Sequence, residues 1–197
     1  MTGFLSRIRA AFGGQGSSNE PTMYDVRGFA VLVDNTRPDI RTEDVLQRLE
    51  DALVLIEHHQ PWRLAHLRRD LSHFIVARFP CRGAFFPEQR ACMTELTFLA
   101  RTDITPAPVA SSILHEGMHA RVHAMGVDAA TRDRAREERL CRRVELEFGL
   151  SLPPELGAPV IERAAASLEL DDEGVAPTVD WAEAQRRTQA VDDQARG

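Results

Sequence analysis

The stretch Ser112-Ile113-Leu114-His115-Glu116-Gly117-Met118-His119-Ala120 constrains the fold more than any other part of the chain. His115 and His119 are four residues apart. On an α-helix they share one face, one turn apart and offset by about 40°. The flanks favour that helix. Thr105 is a candidate N-cap, and Pro106 suits the first helical position, where a missing N–H costs no hydrogen bond. Between Ala107 and Met125 the one glycine is Gly117, and Gly126 supplies a stop.

Two imidazoles so placed can reach one metal ion, and the neighbouring Glu116 points to the side, where it can hold a water. That set suits zinc-assisted hydrolysis: the metal lowers the water pKa towards neutrality and the carboxylate takes its proton. His115 and His119 are therefore the expected zinc ligands and Glu116 the expected general base. A third ligand has to come from elsewhere. The downstream glycine and third histidine of metzincins are absent, with Val122 in the glycine place. His123 lies two turns, about 12 Å, from His115, which makes it a neighbour of the site and not a ligand.

An acidic residue is the better candidate. After Gly126-Val127-Asp128, Asp128 can cap a second helix reaching Phe148. If the two helices fold back on each other, Glu137 and Glu138, 10 and 11 positions after Val127, arrive level with the histidines, 8 and 12 positions before it. Rotation favours Glu138. Leu114, Met118, Val122 and Met125 form the expected apolar face of the first helix, with the histidines to one side. Leu140, Cys141, Val144 and Phe148 form that of the second, with Glu138 offset in the same sense and Glu137 near the middle. The alternative, that both glutamates are surface charges of an Arg/Glu-rich helix, stays open.

His115-Glu116-x-x-His119 followed by Arg136-x-Glu138-x-x-Cys141 resembles short metallopeptidases of the zincin superfamily whose third ligand is a glutamate, as in gluzincins. The resemblance covers Ile113 to Phe148. It implies zinc held by His115, His119 and Glu138, Glu116 as base, and a peptide or protein substrate. Where gluzincins carry an acid four residues beyond the third ligand, this chain has Arg142. Glu145 is the candidate substitute, and with His123 and Cys141 it is a candidate neighbour supporting the ligands. Ligation by Cys141 in place of Glu138 is a further alternative, because zinc accepts thiolate.

The rest of the chain fits an α+β zincin-like minimal domain, a small sheet followed by an antiparallel pair of metal-binding helices. At 197 residues with 43% hydrophobic content there is material for one core. Three segments are expected: a flexible N-terminal part, 1–22; the metal-binding domain, 23–150; and a C-terminal helical or mobile tail, 151–197. Residues 1–12 can form a short basic amphipathic helix for a membrane surface, although frayed turns are the simpler expectation, and 13–19 is a Gly/Ser linker. Strands are expected over Val26–Val33, Phe74–Phe79 and Met93–Arg101. Helices are expected from Thr42 to His58 and from Pro61 to Leu71, and a loop over Pro80–Gln89. In zincins the edge strand ahead of the motif helix pairs with extended substrate, and Met93–Arg101 holds that place in the chain.

The net charge of −6 gives nucleic-acid binding no global support, and no apolar run is long enough to span a membrane. Cys81, Cys92 and Cys141 are odd in number without a Cys-x-x-Cys pair, so reduced thiols of a cytoplasmic protein are expected. The leading expectation is a zinc metallopeptidase. Its rivals are a non-catalytic binding module with a structural zinc on the same scaffold, and a metal-free interaction protein.

Overall fold

The computed structural model describes residues 20–126 and 133–196. It is a mixed α+β fold with a five-stranded sheet and, among the described residues, eight helices. The expected N-terminal amphipathic helix and Gly/Ser linker, and the Asp128 cap, lie outside the described residues.

Strands β1 (Thr22–Val26) and β2 (Phe29–Asp34) form a hairpin where one continuous strand was expected. Arg27 and Gly28 both have positive φ, 53° and 78°, and the Gly28 N–H donates to Asp25 Oδ1 at 3.1 Å. That is the backbone of a two-residue turn whose twist matches the strands it joins. Helix α1 (Thr42–His59) buries Val45, Leu49, Leu53 and Ile56 at helical spacing, and α2 (Pro61–Asp70) follows at once with proline in its first turn.

Strand β3 (His73–Ala77) runs parallel to β2, and β5 (Ala91–Glu95) runs parallel to β3. Two expectations fail between them. The loop expected at Pro80–Gln89 contains β4 (Gly83–Phe86), antiparallel to β5, with Phe85 and Phe86 turned to opposite faces of the sheet. The strand expected to reach Arg101 stops at Glu95, and α3 (Leu96–Ala100) begins, because the Glu95 carboxylate accepts the Phe98 N–H at 2.7 Å. The apolar run Leu96–Ala100 is compatible with either state, and the cap decides it. The sheet order is β1-β2-β3-β5-β4, so the edge strand on the side of the site is β4 and not β5.

Helix α4 (Ala107–Ala124) lies against the sheet, and Thr105 Oγ1 accepts from Ala107 N at its start. Gly126, with φ of 72°, ends it. Its N-terminal half is buried on nearly every side, from Val109 through Glu116, while Met125 is exposed, so the expected narrow apolar stripe is replaced by a central core helix. Helix α5 (Arg134–Ser151) is capped by Asp133, whose side chain accepts from Arg136 N. Its buried face is Cys141, Val144, Glu145 and Phe148; Leu140, expected on it, is exposed.

The C-terminal segment is helical and docked. Helix α6 (Pro154–Leu168) packs along α5, and Gly157 approaches Gly149 so closely that a Cβ on it would stand 2.2 Å from the Gly149 carbonyl oxygen. After α7 (Asp172–Val175), helix α8 (Trp181–Arg196) packs against Arg78 and Phe79, the residues that follow β3. Trp181 packs on Phe79 at 5.8 Å between rings. Asp192 is buried between Arg37 Nη1, at 2.8 Å, and Arg78 Nη2, at 2.9 Å, while Arg78 also pairs with Glu95. No helix among the described residues is long and apolar enough to cross a membrane.

Breaking a buried ion pair from one side leaves the partner charge without compensation. Asp192→Ala should therefore cost about 3 kcal/mol in urea unfolding and speed tryptic cleavage after Arg186 and Arg187. An unchanged cleavage rate and midpoint would mean that Asp192 does not hold α8 down.

Candidate metal centre

Helices α4 and α5 face each other across the histidines. His115 Nε2 and His119 Nε2 stand 3.3 Å apart. The Glu138 carboxylate lies across both, with Oε2 3.3 Å from His115 Nε2 and Oε1 3.4 Å from His119 Nε2. Tetrahedral zinc with ligands at about 2.0–2.2 Å separates neighbouring nitrogen and oxygen donors by about 3.4 Å. The donor types and spacings therefore fit zinc.

The outward nitrogens are held too. His115 Nδ1 is 2.6 Å from Glu145 Oε1, and His119 Nδ1 is 2.7 Å from Glu137 Oε1. An Nδ1–H donated to a carboxylate fixes the tautomer that leaves Nε2 with a free lone pair, and it raises the ring's basicity towards a metal. Glu145 is itself positioned: it accepts from Ser111 Oγ at 3.1 Å and from Arg142 Nη1 at 2.6 Å. The α5 sequence explains the arrangement. Glu137, Glu138, Cys141 and Glu145 follow one another at helical spacing, so one side of α5 presents its acids to α4.

Glu137 corrects the rotational argument. It was expected in the middle of an apolar face; the buried face of α5 instead begins at Cys141, and Glu137 lies at its edge, bonded to His119. His123 was expected as a neighbour of the site and not as a ligand. It is exposed and its ring sits 5.7 Å from that of Phe85, since a further turn carries it past the end of the cluster. Cys141 is buried one turn after Glu138, with Sγ 3.6 Å from His119 Nε2, and forms with His115 and His119 a group of donor atoms all within 4.8 Å of one another.

Burial opposes charging of His115, but the carboxylates of Glu138 and Glu145 outweigh it and raise its pKa to about 10. Burial likewise opposes charging of His119, and Cys141, Glu137 and Glu138 push its pKa far above the usual imidazole range. Glu138 is held below the ordinary carboxylate range because the two imidazoles override the effect of its burial. Glu116 goes the other way. Burial raises its pKa, the histidines oppose the rise, and Glu138 and Glu145 add to it. A carboxylate displaced upward is a better proton acceptor near neutral pH than an ordinary one.

These groups line a cleft of about 650 Å³. Its floor is α4 and α5. One wall is β4 and the loop before it, where a Cβ on Gly83 would lie 3.0 Å from both Glu116 Oε1 and Ser112 Oγ. A further rim runs from the end of α7 to the start of α8, with Val175, Pro177 and Trp181. That rim was not legible in the sequence: the segment has no motif, and its place follows from the docking of α6 and α8.

The raised histidine pKa values set a pH dependence. A group whose pKa rises on folding adds stability that is complete below its unfolded value, near 6.5 here, and is lost as pH rises through about 10 for His115. The Glu138 contribution has the opposite sign: it is complete above about 4.5 and lost on acidification. Chelator-treated protein should thus melt at falling temperature as pH rises from 6.5 to 10. Zinc, which needs neutral imidazoles, should shift the optimum upward. Melting curves with and without zinc test this, and a rising melting temperature over that range in the stripped protein would contradict it.

No family model, no curated protein and no solved structure matches this chain.

Proposed function

We propose that the protein is a zinc-dependent peptidase of zincin-like architecture. The observation that carries this reading is the Glu138 carboxylate lying across two Nε2 atoms 3.3 Å apart, while a separate carboxylate holds each Nδ1. His115, His119 and Glu138 would hold the metal. Zinc, when bound, supplies a Lewis acid that polarises a carbonyl and lowers the pKa of a water towards neutrality.

The chain's own residues do the rest. Glu116, adjacent to the ligands but not among them, accepts the proton of the attacking water and returns it to the departing amine. Glu145 and Glu137 keep the imidazoles in one tautomer throughout. Strand β4 borders the cleft at the free end of the sheet, and its Gly83, having no Cβ, lets the strand come close to Glu116. An extended peptide paired with β4 would lie across the base, which supports a peptide as substrate over a small rigid molecule.

A second reading has its own observation. Cys141 Sγ at 3.6 Å from His119 Nε2 is at the separation that a tetrahedral site gives a sulfur and a nitrogen ligand. If Cys141 joins the other three ligands, the site is closed, and zinc braces the two helices without catalysis. Zinc retained at full affinity in Cys141→Ser favours the open, catalytic site; a loss of about a hundredfold or more favours the closed one.

Purified, reconstituted protein should hold one zinc per chain, and His115→Ala or His119→Ala should lose it. Glu138→Ala should weaken zinc by about a hundredfold or more, and Glu137→Ala by about tenfold through a misoriented His119. The reverse order in a metal titration would move the third ligand to Glu137. Glu116→Gln should keep zinc yet lose cleavage of a peptide library by about 10² to 10⁴. Cleavage at the wild-type rate would reject Glu116 as base.

A further inference from the structure

The cleft holds more positive charge than its metal ligands and base account for. Among the described residues, its four glutamates all have work already: Glu138 faces the two Nε2 atoms, Glu137 and Glu145 hold the Nδ1 atoms, and Glu116 is the base. Four arginines line the same cleft. One of them, Arg134, donates to the Pro177 carbonyl. The other three, Arg82, Arg142 and Arg163, come from three separate elements: the loop before β4, helix α5 and helix α6.

These three guanidinium groups are close enough to feel one another. Burial lowers the Arg163 pKa, and the charges of Arg142 and Arg82 lower it further, against a partial offset from Glu145. The carboxylate between them is Glu145. Arg142 Nη1 is 2.6 Å from its Oε1, and Arg163 Nη1 is 3.7 Å from its Oε2, beyond a hydrogen bond. The same Oε1 also serves His115 Nδ1. Arg142 Nε is buried with no hydrogen-bond partner. Arg82 is exposed, is one of the residues lining the cleft, and lies over the Phe98 ring, 5.2 Å from its centre.

Beside His115, the hydrogen bonds to Glu145 come from Arg142 and from Ser111 Oγ. Arg163 adds a second positive charge beside this engaged carboxylate, and Arg82 brings a third into the same cleft. The whole chain carries −6, whereas this corner of the cleft sets three guanidinium groups against the one carboxylate of Glu145, and a local excess of positive charge concentrates an anionic ligand. A guanidinium presents its N–H groups as a planar fork that matches a carboxylate with two parallel hydrogen bonds, and all the basic residues of this chain are arginine.

We propose that Arg82 and Arg163, beside Arg142, form a subsite for a carboxylate of the substrate. The proposal rests on the peptidase reading for the nature of that substrate. It places the anion on the Glu145 side of His115, next to the reacting centre. The carboxylate has two sources in a peptide: the C-terminus, which makes the enzyme an exopeptidase, or an aspartate or glutamate side chain near the cleaved bond.

The test uses full-length, zinc-loaded Glu116→Gln protein, so that binding is read without turnover. Three dye-labelled octapeptide pools of otherwise equal composition serve as probes: free C-terminus without acidic residues, C-terminal amide without acidic residues, and C-terminal amide with one internal glutamate. Fluorescence anisotropy should show at least about tenfold tighter binding of one carboxylate-bearing pool over the neutral amide pool. A gain from the free C-terminus identifies the exopeptidase source, and a gain from internal glutamate identifies the side-chain source. In the same background Arg82→Gln and Arg163→Gln should each reduce that preference, read as the ratio of carboxylate-pool to amide-pool affinity, by about tenfold. A purely structural role for these arginines would weaken all pools alike. Equal binding of all pools, binding of none, or a preference that survives both substitutions overturns the proposal. A carboxylate preference in a protein whose wild type cleaves no pool leaves the anion subsite standing and removes the peptidase reading instead.

Discussion

The structure depends on two carboxylate–imidazole hydrogen bonds between helices, Glu145 to His115 at 2.6 Å and Glu137 to His119 at 2.7 Å. They set the register of α5 against α4, orient both rings, and bring the Glu138 carboxylate over the pair of Nε2 atoms. Buried polar groups are costly unless fully paired, and here each imidazole is paired on both sides. The same bonds explain why an acid is fully buried in the core: Glu145 has 1% exposure, and Ser111, Arg142 and Arg163 complete its surroundings. Positioning of the site and cohesion of the helix pair are thus one interaction.

The C-terminal helices extend this dependence. Helix α6 brings Arg163 to Glu145, and the segment leading to α8 supplies one rim of the cleft. Helix α8 is held by Asp192, which sits between Arg37 and Arg78. Arg78 also pairs with Glu95, whose carboxylate ends β5 and starts α3. A single buried charge network therefore ties the end of the chain to the strand next to the edge strand β4.

Much of the site was legible in the sequence because its signals are local. The spacing of His115 and His119 places both on one helix face, and counting from the Gly126 turn brings Glu137 and Glu138 level with them. Glu145 was legible as a helix-spaced acid one turn past Arg142. Other features depend on contacts that spacing does not carry. Arg27-Gly28 reads as an interior of one strand until positive φ at both residues makes it a turn. Leu96–Ala100 is apolar enough for strand or helix, and only the Glu95 cap separates the two. The bond of Glu137 to His119 required the true buried face of α5, which Leu140 misrepresents because it is exposed. The basic wall is invisible in a chain of net charge −6, since Arg82, Arg142 and Arg163 meet only after three elements have packed.

The proposed centre is a zinc ion held by two imidazoles and one carboxylate, with a fourth position left for water. X-ray absorption at the zinc edge of the reconstituted wild-type protein tests it most directly. One zinc per chain is expected, its nearest neighbours nitrogen and oxygen only, at about 2.0–2.2 Å, with the scattering pattern of two imidazoles. A sulfur scatterer at about 2.3 Å would place Cys141 in the shell and close the site, and a protein that binds no zinc would contradict the account altogether.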